Sequence, residues 1–331
     1  MISPERHWYR LSWLSIALLP AAAVFRTFSA LRRAAYRMGV FRSERQQVPV
    51  VVIGNITAGG TGKTPLVIWL CAFLREHGFH PGVVSRGYGG EGRIRNVPAD
   101  ANPAAVGDEP ALLARRTGCP VWIGHDRAAA ARAMLSAHPE CNVIISDDGL
   151  QHYSMRRDIE VAVVDASRGL GNGLPIPSGP LREPASRLQE VDAVVLNGAS
   201  AAPPDSPHTF AMTLDGSVFR NLLNPAFVHD AAEFQGKGVH ALAGIGNPAR
   251  FFQHLQRLGL GFTAHPFPDH HAFSISDLDF ANADAIVMTE KDAIKCQPFA
   301  RENMWVVPVN ARIEPGFGQL ILDKLKTPHG S

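Results

Sequence analysis

Cysteine is scarce in this 331-residue chain, and its four copies are scattered at Cys71, Cys119, Cys141 and Cys296. No two form a CxxC pair, so neither a structural zinc site nor a disulfide scaffold is indicated, and idle thiols fit a reducing compartment. An excess of charge is also missing: 32 Lys and Arg stand against 30 Asp and Glu, a formal +2. What excess exists is confined to residues 1–45, with eight arginines against Glu5 and Glu44. The remainder is net acidic, which excludes a nucleic-acid binder with a broad basic face. A long apolar run is lacking too. The best, Leu11–Phe25, would reach only roughly 22 Å as a helix, short of the ~30 Å core of a bilayer.

That short run has Arg6 and Arg10 before it and Arg26, Arg32, Arg33 and Arg37 after it. Extending it to Leu31 gives roughly 31 Å, but takes in Arg26 and sets Pro20 near the middle. Flanking arginines with Trp8, Tyr9 and Trp13 fit an interfacial helix on an anionic membrane surface. A secretory signal ending at Ala21-Ala22-Ala23 and a soluble helix packed on the next domain are the alternatives. Membrane attachment is the expectation for residues 1–45, with spanning and monotopic modes open.

Glycine is plentiful where it matters. Gly59-Gly60-Thr61-Gly62-Lys63-Thr64 directly follows the β-branched run Val50-Val51-Val52-Ile53. A buried strand, a glycine turn and a helix start make a phosphate-binding loop: backbone N–H groups and the helix's positive end converge on phosphate oxygens. Lys63 would reach the terminal phosphates, and the Thr64 hydroxyl would sit on a magnesium ion. Thr57 stands where the usual pattern has its first glycine, which suggests an altered loop path with the anion site kept.

Strands are expected at Pro81–Ser85, Val121–Ile123, Asn142–Ser146 and Ile159–Val164, with another buried segment at Leu188–Leu196 and helices between. The alternation predicts an α/β fold with a mostly parallel sheet carrying the phosphate loop, and a second, smaller α/β domain. The expected divisions are 1–45, 46–202 and 203–331, with a linker at Pro203-Pro204-Asp205-Ser206-Pro207. Ligand chemistry in such sheets gathers at the carboxyl ends of strands. There stand Asp147 and Asp148, which cannot point the same way, so one would face the metal while the other positions a donor or the loop. Gly107-Asp108-Glu109-Pro110 reads as a helix cap or as a carboxylate site near an acceptor hydroxyl. The loop from Gly169 through Asn172 to Arg182-Glu183-Pro184 is a surface connector or a cleft wall. Thr289-Glu290-Lys291-Asp292 reads as a helix cap with solvated charges, or as part of the site. A membrane-associated switch or motor ATPase would use the same loop, but the long cleft loops favour a small-substrate enzyme.

Taken together, the sequence resembles the tetraacyldisaccharide kinase family of lipid A biosynthesis over nearly its whole length. The resemblance rests on Gly54–Pro65, Ser85-Arg86-Gly87-Tyr88-Gly89, Gly107–Pro110, Asp147-Asp148-Gly149-Leu150-Gln151-His152, Leu181–Pro184, Phe267-Pro268-Asp269-His270-His271 and Thr289–Lys295. It implies ATP- and Mg2+-dependent phosphorylation of the distal 4'-hydroxyl of a membrane-embedded glycolipid, at the cytoplasmic face of the bacterial inner membrane, with no obligate protein partner. Thr57, Ala58, Gly59, Gly60, Thr61, Gly62, Lys63 and Thr64 would bind ATP. Asp108 and His271 would pair across the cleft, and Thr64, Asp147, Asp148 and Glu183 would serve the metal. Arg86, Glu109, Asn172 and Arg182 would line the substrate cleft.

Overall fold

The computed structural model describes residues 5–87, 93–199 and 206–326. Tyr88-Gly89-Gly90 of the polar turn and Pro203-Pro204-Asp205 of the expected linker lie outside the described residues. Three helices, α1 (Glu5–Trp8), α2 (Trp13–Ala17) and α3 (Leu19–Arg37), precede β1 (Val50–Gly54) and α4 (Lys63–Glu76). Next come β2 (Pro81–Ser85), β3 (Arg95–Asn96), α5 (Pro103–Val106), α6 (Asp108–Thr117), β4 (Val121–Ile123) and α7 (Arg127–Ala137). The strands β5 (Val143–Asp147), β6 (Ile159–Asp165), β7 (Ala193–Asn197) and β8 (Thr209–Asp215) follow.

These strands build a nine-stranded sheet in the order β15-β8-β7-β6-β1-β5-β2-β4-β3, where β15 is Asn310–Ile313. Its interior pairs are parallel, and only the edge strands β3 and β15 run antiparallel to their neighbours. Every residue of β1 is buried because helices cover both faces. Val51 and Ile53 join one core with Leu66, Val67 and Leu70 of α4. Val50 and Val52 join the other with Ala128, Ala131 and Met134 of α7. The two-residue period of the strand thus assigns alternate side chains to opposite layers.

A six-stranded sheet forms from β9 (Phe219–Asn221), β10 (Val228–His229), β11 (Val239–Ala243), β12 (Thr263–Pro266), β13 (Ala285–Thr289) and β14 (Met304–Val307). α8 (Pro248–Arg257) and α9 (Glu290–Cys296) pack on its opposite faces. The chain then returns to the larger sheet with β15 and α10 (Gly316–Lys326), whose Phe317 and Ile321 enter the α4 core. The larger sheet therefore draws β8 and β15 from beyond residue 203.

The apolar run at the amino terminus is two helices broken at Leu18, not one helix over 11–25. Ser12 caps α2 by accepting from the Ser15 N–H at 3.2 Å. Pro20 lies in the first turn of α3, where its missing N–H leaves no bond unmade. None of the described helices is long and apolar enough to cross a membrane.

Candidate active site

The turn after β1 is held from several sides. Asn55 Nδ2 donates to the Gly59 carbonyl at 3.1 Å, and Gln151 Nε2 donates to the Asn55 carbonyl at 3.0 Å. Asn197, at the end of β7, donates from Nδ2 to the Thr61 carbonyl at 2.9 Å. Thr57 is buried and bridges Leu181, while the Ala58 N–H donates to the Pro180 carbonyl at 2.8 Å. Thr57 and Ala58 thus anchor the loop, whereas Gly59, Gly60, Thr61, Gly62, Lys63 and Thr64 line a cleft of about 1750 Å³. Gly62 precedes the helix with φ 94° and ψ 26°, a left-handed conformation that favours glycine. Lys63 and Thr64 follow as the first residues of α4, where the unpaired N–H groups of a helix start suit an anion.

The two adjacent acids have separate surroundings. Asp147 ends β5 opposite Ile53 of β1 and is fully buried. Ser85 Oγ donates to its Oδ2 at 3.4 Å, and its Oδ1 has no partner among the described residues. Burial pushes this carboxyl up to about 7; the Glu109 charge adds to the shift and Lys63 opposes it. Asp148 turns away with φ 49°. Its carboxylate meets Lys63 Nζ at 3.4 Å and an Arg182 guanidinium nitrogen at 3.2 Å, while Arg127 donates to its carbonyl at 2.8 Å. Burial alone would raise Asp148, but Lys63, Arg182 and Arg127 outweigh it and hold the group well below the usual carboxylate range.

No group of three or more His, Cys, Asp or Glu among the described residues forms a metal cage. Magnesium keeps water and phosphate oxygens in its shell and takes few protein ligands. The unpartnered buried Oδ1 of Asp147 and the Thr64 hydroxyl are donors of the right kind. Glu183 differs from its expected metal role. Gln151 donates to one of its oxygens at 2.7 Å and the Tyr153 hydroxyl to the other at 2.8 Å, with Arg187 at 3.3 Å. Asn172 differs too, because its polar atoms are spent on backbone. Its Nδ2 donates to the carbonyls of His7 (3.0 Å) and Ser178 (2.9 Å), and its Oδ1 accepts from the Leu174 N–H. It fastens the amino-terminal segment instead of lining the cleft. Arg86 is exposed on the cleft wall.

Asp108 opens α6 after Gly107, whose φ 94° and ψ 153° lie in a region essentially reserved for glycine. The smaller sheet supplies what faces it. His270 Nδ1 lies 3.2 Å from Asp108 Oδ2, whereas His271 lies 3.3 Å from Asp277 and packs between Phe267 and Phe273. The expected partner was His271; the structure assigns the contact to His270, because the turn places His270 at φ 60° and rotates the two rings apart.

The segment beginning at Thr289 also reaches this point. Lys291 Nζ stands 3.1 Å from Asp269 and 3.4 Å from Glu109, and Lys295 Nζ stands 3.8 Å from Asp108. Sequence reading left Lys291 and Lys295 without a role and missed Asp269, His270 and Arg127. The signal for the lysines was their four-residue spacing, which puts both on one face of α9. A third wall of the cleft comes from α3, including Phe25, Arg26, Phe28, Arg32 and Arg33. Arg33 also forms an ion pair with Glu190, and Arg32 donates to the Gln151 carbonyl at 3.3 Å.

With this geometry in view, comparison with known proteins is direct. The family model described as tetraacyldisaccharide-1-P 4'-kinase matches residues 14–326. A tetraacyldisaccharide 4'-kinase of Methylobacillus flagellatus is 49% identical over 322 residues, covering 97% of this chain and 95% of its own. That of Aromatoleum aromaticum is 50% identical over 324 residues, covering 96% of each chain. A crystal structure of LpxK from Aquifex aeolicus in complex with ATP superposes with a TM-score of 0.77 at 26% identity, covering 94% of this chain and 99% of that one. The chain belongs to the tetraacyldisaccharide-1-P 4'-kinase family.

Proposed function

We propose that this protein transfers the γ-phosphoryl group of ATP to the distal 4'-hydroxyl of a tetraacylated glucosamine disaccharide 1-phosphate, a step of lipid A biosynthesis. The observation that carries the reading is the pairing of Asp108 with His270, which lines the same cleft as the Lys63–Thr64 helix start. Asp108 accepts the proton of the sugar hydroxyl as its oxygen bonds to the γ-phosphorus and the bond to the ADP oxygen breaks. His270 orients Asp108. Lys63 exchanges its Asp148 contact for the phosphates and offsets their charge. Asp147 and Thr64 would hold magnesium, which neutralises phosphate charge when bound. Asp148 and Arg182 set the Lys63 amine, and Arg86 and Glu109 border the acceptor. Glu183 and Asn172 tie the amino-terminal helices to this machinery.

The two sheets act as lobes whose closure brings Asp108 and His270 together and excludes water. Residues 5–41 dock on the membrane in a monotopic manner at the cytoplasmic face of the inner membrane. Leu11, Trp13, Ile16, Val24, Phe28 and Leu31 of this segment are all exposed, and arginines lie among them. Since α3 also walls the cleft, a lipid headgroup could enter without leaving the bilayer surface.

The test is transfer of labelled phosphate from magnesium–ATP to the tetraacyl disaccharide 1-phosphate, with mass analysis of the product. Asp108→Asn should bind ATP normally and lose about 100-fold or more in turnover. Hydrolysis of ATP with no lipid product would reject the reading.

A further inference from the structure

Lys295 is nearly buried at 8% side-chain exposure, a costly place for an ammonium unless its charge is answered. Three groups answer it. Asp292 Oδ1 lies 3.0 Å away, Asp108 Oδ2 lies 3.8 Å away, and the Phe273 ring presents its face at 4.9 Å. Asp292 is itself a fixed anchor. It is fully buried, and its Oδ2 accepts from the Thr289 hydroxyl at 2.7 Å and from the Gly244 N–H at 3.0 Å. A continuous chain of contacts therefore runs from the end of β11 through Asp292 and Lys295 to the carboxylate on the opposite lobe.

The neighbouring lysine does different work. Lys291, one turn earlier on α9, bridges Asp269 and Glu109, the residues that flank His270 and Asp108. Lys295 alone meets Asp108 itself, on the same oxygen that His270 contacts. A lysine serving only to satisfy Asp292 would have no need to reach across the cleft. A hydrogen-bonding imidazole at 3.2 Å and a fixed ammonium at 3.8 Å converge on one carboxylate oxygen, so the group is oriented and its charge is offset. We propose that Lys295, seated on Asp292, is a positioning residue that holds the Asp108 carboxylate in its proton-accepting form and orientation. This rests on the reading of Asp108 as the acceptor of the hydroxyl proton.

The charged groups facing Asp108 are His270 from the loop after β12, and Lys295 and Lys291 from α9, with Glu109 beside it on α6. Burial raises the Asp108 carboxyl, but the His270 hydrogen bond and the charges of Lys295 and Lys291 outweigh it and leave the group below its ordinary value. Removing Lys295 must therefore move the proton affinity of Asp108 upward.

The experiment compares the full chain with Lys295→Met, Lys295→Arg and the double variant Asp292→Asn/Lys295→Met. The double variant removes the buried pair together, so neither charge is stranded if the single change folds poorly. Turnover should fall about 10-fold or more in both Met variants, with KM for ATP within about threefold. The acid limb of kcat/KM should move up by about one pH unit, and Lys295→Arg should restore it. In an Asp108→Asn background, Lys295→Met should cause no further loss. An unchanged limb and turnover in folded Met variants, with Asp108→Asn inactive, would overturn the role of Lys295 alone. Full activity in Asp108→Asn would instead overturn the reading on which it rests. A further loss in the Asp108→Asn background would show that Lys295 acts elsewhere and reject the proposal.

Discussion

His270 Nδ1 meets Asp108 Oδ2 at 3.2 Å across the cleft, the histidine carried by the smaller sheet and the carboxylate by the first turn of α6. The contact gives two adjacent histidines different partners. His270→Asn should lower turnover by about 10- to 100-fold with little change in KM for ATP. His271→Asn, which removes only the contact with Asp277 and the packing on Phe267 and Phe273, should stay within about threefold of the parent. Steady-state phosphorylation of the lipid acceptor distinguishes them, and the reverse ranking would return the role to His271.

The lobes also touch at glycine. A Cβ placed on Gly246, just after β11, would collide with the backbone nitrogen of Gly60 in the phosphate loop. Close by, Asn247 Nδ2 donates to Asp165 at 3.0 Å, and Arg250 reaches both Asp165 and the Asn197 carbonyl. Asn197 in turn holds the Thr61 carbonyl, so the position of the smaller lobe is transmitted to the loop. Gly246→Val should force the lobes apart at this point. We expect turnover to drop by about 10-fold or more while the melting temperature shifts little, because the clash lies between lobes and not within a core. Equal losses in stability and activity would mean that the contact is simply part of the fold.

The central strands, the phosphate loop and the acid pair were legible because local patterns specify them. A β-branched run buried on both faces needs a strand, and the glycines after it need a turn. The choice between His270 and His271 was not legible, since it depends on the left-handed φ of His270 within a three-residue polar run. Asn172 and Glu183 misled for another reason. Their partners His7 and Tyr153 lie far away in sequence, and nothing local tells a carboxylate that binds metal from one that anchors a tyrosine. The break at Leu18 followed from Pro20, which fits the start of a helix better than its middle.

His152 gives a prediction for stability against pH. Burial, aided by the charges of Arg127 and Arg157, brings its imidazole down to about 4 from the ordinary 6.5, and its Nε2 lies 2.9 Å from Ser154 Oγ. The unfolded chain takes up the proton first, so neutral burial of His152 contributes stability above 6.5 that is lost as pH falls toward 4. The melting temperature of the parent should therefore fall more steeply over that window than that of His152→Gln. Parallel curves would show that the ring is protonated in the native state.

The amino-terminal helices expose Leu11 at 72%, Trp13 at 76%, Val24 at 71% and Phe28 at 68%. They are nevertheless fastened to the body. Trp8 Nε1 donates to the Pro177 carbonyl at 3.2 Å, Asn172 holds the His7 carbonyl, and Arg33 and Arg37 pair with Glu190. The proposed docking on a membrane surface would use a segment fixed on one side and apolar on the other. Replacing Leu11, Trp13 and Val24 by glutamate should weaken flotation with vesicles containing anionic lipid by about 10-fold or more, since each change removes apolar burial and adds repulsion. Binding of the parent should weaken as salt rises, through screening of its arginines. With a short-chain, water-soluble acceptor the triple variant should phosphorylate within about threefold of the parent, because none of the three lines the cleft. Unchanged flotation would detach this face from the membrane, and an equal loss on soluble acceptor would make it part of the cleft.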